Sequence, residues 1–369
     1  MSQNDPLPEP GSPGLRGGAG IVRRVEIQVL GSGGPQGWPA PGCRCAACQQ
    51  AEVNGTARIP FSVLVNGQLK VRGTEAGRAD GHRVRQLAGG WDVTGPDGAR
   101  LLAGPSPEVP ADAGRYDAVL LDLIGDPGQL GRLRRRGAVT GATLVLAGFA
   151  DHRIRSEREL ARRCGFWGAV PVRDGDVHTV PGPGAAGRGT AVRRPWRVLV
   201  LGGSGSGKSA EAELRLAAEP EVTYVATGRV DPADPEWTAR IAAHAGRRPS
   251  WWGTRESTDV AGVLASFSGA VLVDSVTTWL AGVMDDCGAW DGAAGRAAAR
   301  ERADALVAAW RAVDGHVIAV SDETGLGVVP DTRAGRMFRD ELGRLNQRLA
   351  AEADEFVLVV AGRPMLTAD

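Results

Sequence analysis

The 369-residue sequence has no surplus of charge of either sign and no long apolar run. Its 43 basic residues balance its 43 acidic residues, which argues against a nucleic-acid partner or an anionic membrane surface. No apolar segment approaches the roughly 18 residues of a membrane span, and the first twenty residues lack the apolar core of a secretion signal. We therefore expect a cytoplasmic protein whose partner is a small molecule, with neither nucleic acid nor membrane as a partner.

Cysteine and lysine are scarce as well. Three of the five cysteines are crowded into Cys43, Cys45 and Cys48, which suits a reduced metal-binding or structural cluster better than a disulfide framework. Lys70 and Lys208 are the only lysines among the 43 basic residues. Because arginine is used almost everywhere else, Lys208 indicates a position that requires a compact ammonium.

Lys208 lies in the most informative stretch, 197–210, where a short apolar strand enters a glycine-rich loop and a helix begins. Positions 202–209 match the phosphate-loop pattern G-x-x-x-x-G-K-[ST]. Backbone N–H groups of such a loop surround phosphates, the lysine reaches the β- and γ-phosphates, and the last hydroxyl holds Mg²⁺. The alternative is a chance match in a chain with 53 glycines. The predicted nucleotide contacts are Gly202, Gly203, Ser204, Gly205, Ser206, Gly207, Lys208 and Ser209.

Length and composition divide the chain into two domains with connecting segments. Residues 1–20 are rich in proline and glycine and are predicted to be a disordered tail. Residues 21–180 are predicted to form a β-rich α/β domain, residues 181–195 a linker, and residues 196–369 a phosphate-loop domain. In the first domain, strands are expected near Phe61–Val65, Val119–Ile124 and Leu144–Phe149, and a helix over Ser156–Cys164.

The phosphate-loop domain alternates apolar strands with helical patterns. This alternation predicts a mainly parallel sheet with helices on both faces. The strands are expected at Val198–Leu201, Val222–Ala226, Ala270–Val273, Val317–Val320 and Phe356–Val360.

Other candidate residues follow these strands. Asp274 closes one of them, where its carboxylate can hold Mg²⁺ opposite the phosphate loop, although an ordinary strand-ending aspartate is the alternative. A helix is predicted over Pro235–Gly246, and spacing alone favours a surface or partly buried role for its His244. The polar segment Ser321–Pro330 is expected to be a substrate loop or a plain connection, and Thr332–Ala353 a helix with a solvated arginine-rich face.

Several strings of this domain together resemble the bifunctional adenosylcobinamide kinase / adenosylcobinamide-phosphate guanylyltransferase family of cobalamin assembly. They are G-G-x-x-S-G-K-S, Y-V-A-T, R-I-x-x-H, D-E-T-G-L-G-V-V-P, F-R-D, L-G-R-L-N-Q-R-L-A and A-D-E-F-V-L-V-V-A-G, and they cover nearly all of 196–362. The resemblance implies a homotrimer built on a parallel sheet and a covalently guanylylated histidine, here His244. The family commonly has arginine where this chain has Gly205, so one contact to the phosphates is absent or comes from another arginine. Further nucleotide contacts implied by the resemblance are Thr227, Ala245, Gly246, Arg247, Arg248, Glu256 and Asp274.

The first domain resembles metallo-β-lactamase-fold phosphodiesterases through V-x-V-L-G-S-G-G-P-x-G-W-P and C-R-C-A-A-C. Those enzymes need H-x-H-x-D-H for a dinuclear metal site, which the five histidines of this chain cannot form. Their late H-x-x-H is F-A-D-H here, with Phe149 in first place and His152 in last. The resemblance implies a degenerate hydrolase that keeps a structural Zn²⁺ on Cys43, Cys45, Cys48 and His152. Three reduced cysteines without a metal are the alternative.

These patterns predict an α/β enzyme that catalyses two steps. ATP or GTP at the phosphate loop phosphorylates the aminopropanol hydroxyl of adenosylcobinamide, a corrinoid, while Lys208 and Mg²⁺ neutralise the developing charge. Neutral His244 then attacks the α-phosphate of GTP, pyrophosphate leaves, and the phosphorylated corrinoid takes GMP from the histidine. Two alternatives stay open: a small-molecule kinase without guanylyl transfer, and a nucleotide-sensing switch whose first domain binds a protein.

Overall fold

The computed structural model describes residues 24–73, 75–181, 196–228, 246 and 248–366. The predicted disordered tail and nearly all of the predicted linker lie outside these residues. Within the described ranges, two sheets lie in residues 24–181 and a third in residues 196–366. None of the described helices is long and apolar enough to cross a membrane.

The N-terminal unit, residues 24–181, is built on two sheets and three helices. The first sheet is antiparallel, with strand order β11-β1-β2-β3-β4. Its strands are β1 Arg24–Gly31, β2 Ser62–Val65, β3 Leu69–Arg72, β4 Glu75–Ala76 and β11 Val177–Pro181.

The second sheet is mixed, because β5, β6 and β7 form an antiparallel meander and β7 to β10 run parallel. Its strands are β5 Arg83–Leu87, β6 Gly90–Thr94, β7 Arg100–Gly104, β8 Ala118–Leu121, β9 Leu144–Ala147 and β10 Val170–Pro171. The helices of this unit are α1 Ala46–Val53, α2 Gly128–Arg135 and α3 Glu157–Trp167.

Both faces of the second sheet are buried. On one face, Leu101 and Leu120 pack with Ile27 and Val63 of the first sheet. On the other, Leu102, Val119 and Leu121 pack with Leu130, Leu160 and Trp167 of α2 and α3. The sequence predicted strands at β2, β8 and β9 and the helix α3, and all four are present.

The C-terminal sheet has the order β14-β13-β15-β16-β12-β17-β18. All its strands are parallel except β18, which pairs antiparallel with β17. The predicted mainly parallel sheet is therefore confirmed. The strands are β12 Trp196–Gly202, β13 Val222–Ala226, β14 Gly253–Glu256, β15 Ala270–Asp274, β16 His316–Asp322, β17 Glu355–Val360 and β18 Arg363–Leu366.

Helices cover both faces of this sheet, as predicted. Leu199 and Leu201 of β12 face a cluster that includes Trp279 and Trp310, whereas Val198 and Val200 face Leu216 and its neighbours. This two-sided burial explains the nearly continuous apolar strands. The described helices are α4 Lys208–Leu216, α5 Val260–Ser266, α6 Val276–Asp286, α7 Ala293–Ala312 and α8 Arg333–Ala351, with a short 3₁₀ helix at Thr324–Leu326.

The N-terminal unit contacts the helix that follows the predicted phosphate loop. The indole N–H of Trp167 in α3 donates to the carbonyl of Leu214 in α4 at 3.0 Å. One turn away, the Arg162 guanidinium lies 2.6 Å from the Glu211 carboxylate. Ala218, just after α4, belongs to the same buried apolar cluster as α2 and α3. The two units therefore share an interface on α4.

Arg215, in the last turn of α4, forms a buried charge network with Glu211 and Glu355. Its guanidinium lies 3.0 Å from Glu211 and 2.7 Å from Glu355, and its side chain is only 2% exposed. Removing one partner of a buried ion pair is costly because the remaining charge is left desolvated.

We expect Arg215→Ala to lower the free energy of unfolding by about 3 kcal/mol. The matched control is Arg302→Ala, whose side chain lies 3.5 Å from Asp286 on the surface and should matter by less than about 1 kcal/mol. Urea unfolding followed by tryptophan fluorescence measures both. Equal transition midpoints for the two variants would show that the network contributes little.

Candidate functional site

The predicted phosphate loop joins the carboxyl end of β12 to the first residue of α4. Gly205 and Gly207 have φ angles of 68° and 95°, which residues other than glycine adopt only at a cost in conformational free energy. Gly207 is the residue that precedes α4, so the N–H groups of the first turn point toward the loop. An added Cβ at Gly205 would meet nothing within 4 Å, so an arginine there would have space but an unfavourable φ.

Gly202 is required by close packing. A Cβ on this residue would clash with the Ser206 hydroxyl and lie 2.7 Å from the carbonyl oxygen of Val359. The N–H of Gly362, in the turn between β17 and β18, donates to the carbonyl of Ser206 at 2.8 Å. The strand β17 and the turn that follows it therefore pack against the loop and support it.

Lys208 is oriented by two groups of the loop edge. Its ammonium donates to the carbonyl of Gly203 at 3.3 Å and lies 2.8 Å from the Asp322 carboxylate. Asp322 ends β16 and is directly opposite Gly202 in the parallel register. Asp322 falls in the segment 321–330 predicted to be a substrate loop or a plain connection, and no sequence pattern predicts it as the partner of Lys208. Its position at the end of an apolar strand, the same signal as for Asp274, could have identified it.

Asp274 lies at the same edge of the sheet. One carboxylate oxygen accepts a hydrogen bond from the Ser209 hydroxyl at 3.4 Å, and the other accepts from the Tyr224 hydroxyl at 3.0 Å. Burial, together with the charge of Asp274, raises the pKa of Tyr224, so the phenol remains a donor. A serine hydroxyl beside a strand-ending carboxylate is the donor set that Mg²⁺ prefers at a phosphate loop.

Thr227 organises the loop that follows Asp274. Its hydroxyl donates to the carbonyl of Ser275 at 2.6 Å, accepts from the Ser275 N–H at 3.0 Å and lies 2.7 Å from the Thr278 hydroxyl. The residue is 3% exposed. The Thr227 hydroxyl is therefore bonded within the protein, and the nucleotide contact that the resemblance implies for Thr227 stays a prediction.

Two other predicted nucleotide contacts lie farther along the same edge. Glu256 ends β14 opposite Ala226 and is exposed. The Arg248 guanidinium stacks 3.6 Å from the centre of the Tyr224 ring and so approaches the surroundings of Asp274. His244, Ala245 and Arg247 lie outside the described residues, and Gly246 is described between them.

A second candidate site lies in the N-terminal unit. The ligand atoms of Cys43, Cys45, Cys48 and His152 all lie within 4.8 Å of one another. Burial raises the pKa of the Cys48 thiol to about 11, whereas the Cys48 backbone N–H lowers the pKa of Cys45. Three thiolates and one imidazole form a donor set that structural zinc takes, and atoms this close together can converge on a single ion.

Residues next to His152 in the sequence make contacts of their own within the N-terminal unit. The Arg153 guanidinium bridges Asp122 and Asp151, at 2.8 Å from each carboxylate. Phe149 is 3% exposed and stacks on Phe61 with ring centres 4.1 Å apart. An apolar ring, that of Phe149, therefore stands at the first place of the late H-x-x-H, where the resemblance would have required a metal ligand.

The profile of the family described as cobinamide kinase / cobinamide phosphate guanyltransferase matches residues 198–366. The bifunctional adenosylcobalamin biosynthesis protein CobU of Salmonella typhimurium is 39% identical over 176 residues, an alignment that covers 45% of this chain and 96% of the relative. The bifunctional adenosylcobalamin biosynthesis protein CobP of Pseudomonas aeruginosa is 42% identical over 177 residues, with 46% and 95% covered.

Zinc-bound PqqB from Methylobacterium extorquens matches 42% of this chain and 99% of its own length at 13% identity. The TM-score of 0.29 is too low to support any conclusion about either unit.

The packing around Gly202 leads to a test of the loop. Gly202→Ala should raise the Kd for nucleotide about tenfold or more, because the new methyl group displaces Ser206 and the N–H groups beside it. Gly282→Ala, in α6 and away from the loop, is the matched control, since an added Cβ there meets nothing within 4 Å. Isothermal titration with ATP or GTP compares them, and equal affinities would show that the loop tolerates the displacement.

Proposed function

The chain belongs, through residues 198–366, to the cobinamide kinase / cobinamide phosphate guanyltransferase family, and we propose that it phosphorylates adenosylcobinamide and then attaches GMP to the new phosphate. The observation that supports this most directly is the convergence of Lys208, Ser209 and Asp274 at one edge of the parallel sheet. These side chains supply the ammonium, hydroxyl and carboxylate that phosphoryl transfer from a nucleoside triphosphate needs.

In the first step, the loop 202–209 binds the phosphates of ATP or GTP, and Lys208 neutralises the charge that develops on them. Ser209 and Asp274 would hold Mg²⁺, which would supply further charge neutralisation there. The corrinoid hydroxyl attacks the γ-phosphorus, a new O–P bond forms, and the nucleoside diphosphate leaves with the bridging oxygen.

In the second step, the neutral imidazole of His244 attacks the α-phosphorus of GTP and pyrophosphate leaves. A phosphate oxygen of the phosphorylated corrinoid then attacks the same phosphorus, the N–P bond breaks, and adenosylcobinamide-GDP is formed. His244 lies outside the described residues, between β13 and Arg248 in the sequence, and Arg248 contacts Tyr224 near Asp274. This position in the chain supports the assignment made from the R-I-x-x-H string.

We also propose that Cys43, Cys45, Cys48 and His152 hold one structural Zn²⁺ in the N-terminal unit, in which the degenerate hydrolase site is inactive. The proximity of the four ligand atoms supports the zinc site, and the absence of H-x-H-x-D-H, with Phe149 in the late H-x-x-H, supports the loss of hydrolysis. The trimer implied by the family resemblance and the cytoplasmic location remain predictions.

His244→Ala tests the second step. We expect loss of covalent GMP on the protein and of GMP transfer, with much of the phosphorylation retained, because Lys208 and Ser209 remain in place. The assay follows acid-labile label from α-labelled GTP and release of pyrophosphate, with His316→Ala as the control on a different element. Unchanged labelling of His244→Ala would place the nucleophile elsewhere, and a wild type without label would favour a kinase alone or a nucleotide-sensing switch.

The zinc site predicts a stoichiometry. Freshly purified protein should contain about one zinc per chain, and Cys45→Ser or His152→Ala should lose it. Cys287→Ser, a cysteine of α6's C-terminal cap, is the matched control and should retain the metal. Metal analysis by mass spectrometry decides, and protein prepared without chelators that contains no zinc would leave three reduced cysteines as the correct account.

A further inference from the structure

The backbone of Asp322 is held in place beside the predicted phosphate loop. Its backbone N–H donates to the Thr277 hydroxyl at 2.8 Å, and its carbonyl accepts from the Asn346 amide at 3.0 Å. Asn346 is 4% exposed, so the end of β16 is held from the buried side. The carboxylate is 2.8 Å from the Lys208 ammonium, and that ammonium is the group that reaches the β- and γ-phosphates in a phosphate loop.

The neighbouring carboxylates have other partners. Asp274 accepts from Ser209 and Tyr224, which places it in the set that would hold Mg²⁺. Glu323 accepts from the N–H of Gly325 at 2.9 Å and caps the short 3₁₀ helix. Among the described strand-end carboxylates of this edge, Asp322 is the one that pairs with the loop lysine.

Nucleotide binding would change the charged groups that surround the Asp322 carboxylate. When the phosphates take up the Lys208 ammonium, a carboxylate a few ångströms from the γ-phosphate is repelled unless a donor lies between them. The hydroxyl that accepts the phosphoryl group is such a donor, and it must lie close to the γ-phosphorus to react. A carboxylate in this place therefore both orients the hydroxyl and accepts its proton.

We propose that Asp322 is the general base of the phosphoryl-transfer step, acting on an alcohol hydroxyl of the acceptor. The inference rests on the proposed function and deepens it. As the hydroxyl oxygen forms its bond to the γ-phosphorus, the O–H bond breaks and the proton moves to an Asp322 oxygen. The bond from the γ-phosphorus to the bridging oxygen breaks, the nucleoside diphosphate leaves, and Asp322 later releases the proton to water.

The test compares Asp322→Asn with Asp322→Ala in the full chain. Asparagine keeps an oxygen that accepts from Lys208 but is a poor proton acceptor, whereas alanine removes both functions. We expect both variants to lose about 10²- to 10⁴-fold in the single-turnover rate constant for corrinoid phosphorylation, with the Kd for ATP changed less than about threefold. Asp314→Asn, an exposed aspartate just before the same strand, should leave the rate unchanged.

Near-normal phosphorylation by Asp322→Asn would overturn the proposal, since Asp322 would then only position Lys208. A loss of ATP affinity as large as the loss of rate would overturn it as well. If Asp322→Asn does not fold, formate added to Asp322→Ala decides: recovery of the rate supports the base, and no recovery rejects it. A wild type that leaves the corrinoid unphosphorylated would instead reject the proposed function, so the two failures are distinguishable.

Discussion

The interaction on which the site depends is the placement of one ammonium, that of Lys208, at the edge of a parallel sheet. β12 lies between β16 and β17, and the register pairs Gly202 with Asp322. Parallel strands end at the same edge of a sheet. The strand order alone therefore brings the loop together with Asp322 and Asp274. The buried apolar strands therefore determine where the charges lie, and the charges determine which chemistry is possible.

The N-terminal unit gives α4 a second support. Helices of α/β proteins usually pack on the sheet alone, but here Arg162 and Trp167 also bind α4 from outside. Arg215 connects Glu211 to Glu355, at the start of the strand beside β12. The helix that follows the predicted phosphate loop is thereby held on both sides. The N-terminal unit can therefore contribute to activity by making α4 more rigid.

Much of this arrangement could be predicted from the sequence because it depends on local patterns. The phosphate loop, the apolar strands from β12 to β17 other than β14, and helix α8 all carry their signals within a few residues. β14 was not predicted, since its residues Gly253–Glu256 are all exposed and lack an apolar pattern. The pairing of Lys208 with Asp322, 114 positions apart, depends on strand order, which the sequence alone does not specify. The contacts of the Thr227 hydroxyl with Ser275 and Thr278 could not be predicted either, because they too join segments far apart in the sequence.

We propose that one sheet edge supports two successive transfers to a corrinoid. The most direct test of this proposal is product analysis after incubation of the full chain with adenosylcobinamide, Mg²⁺ and either ATP or GTP. With ATP alone, we expect the phosphorylated corrinoid to accumulate. With GTP present, we expect it to be converted to adenosylcobinamide-GDP with release of one pyrophosphate for each product molecule. An unchanged corrinoid, or a phosphorylated corrinoid that persists in the presence of GTP, would contradict the account.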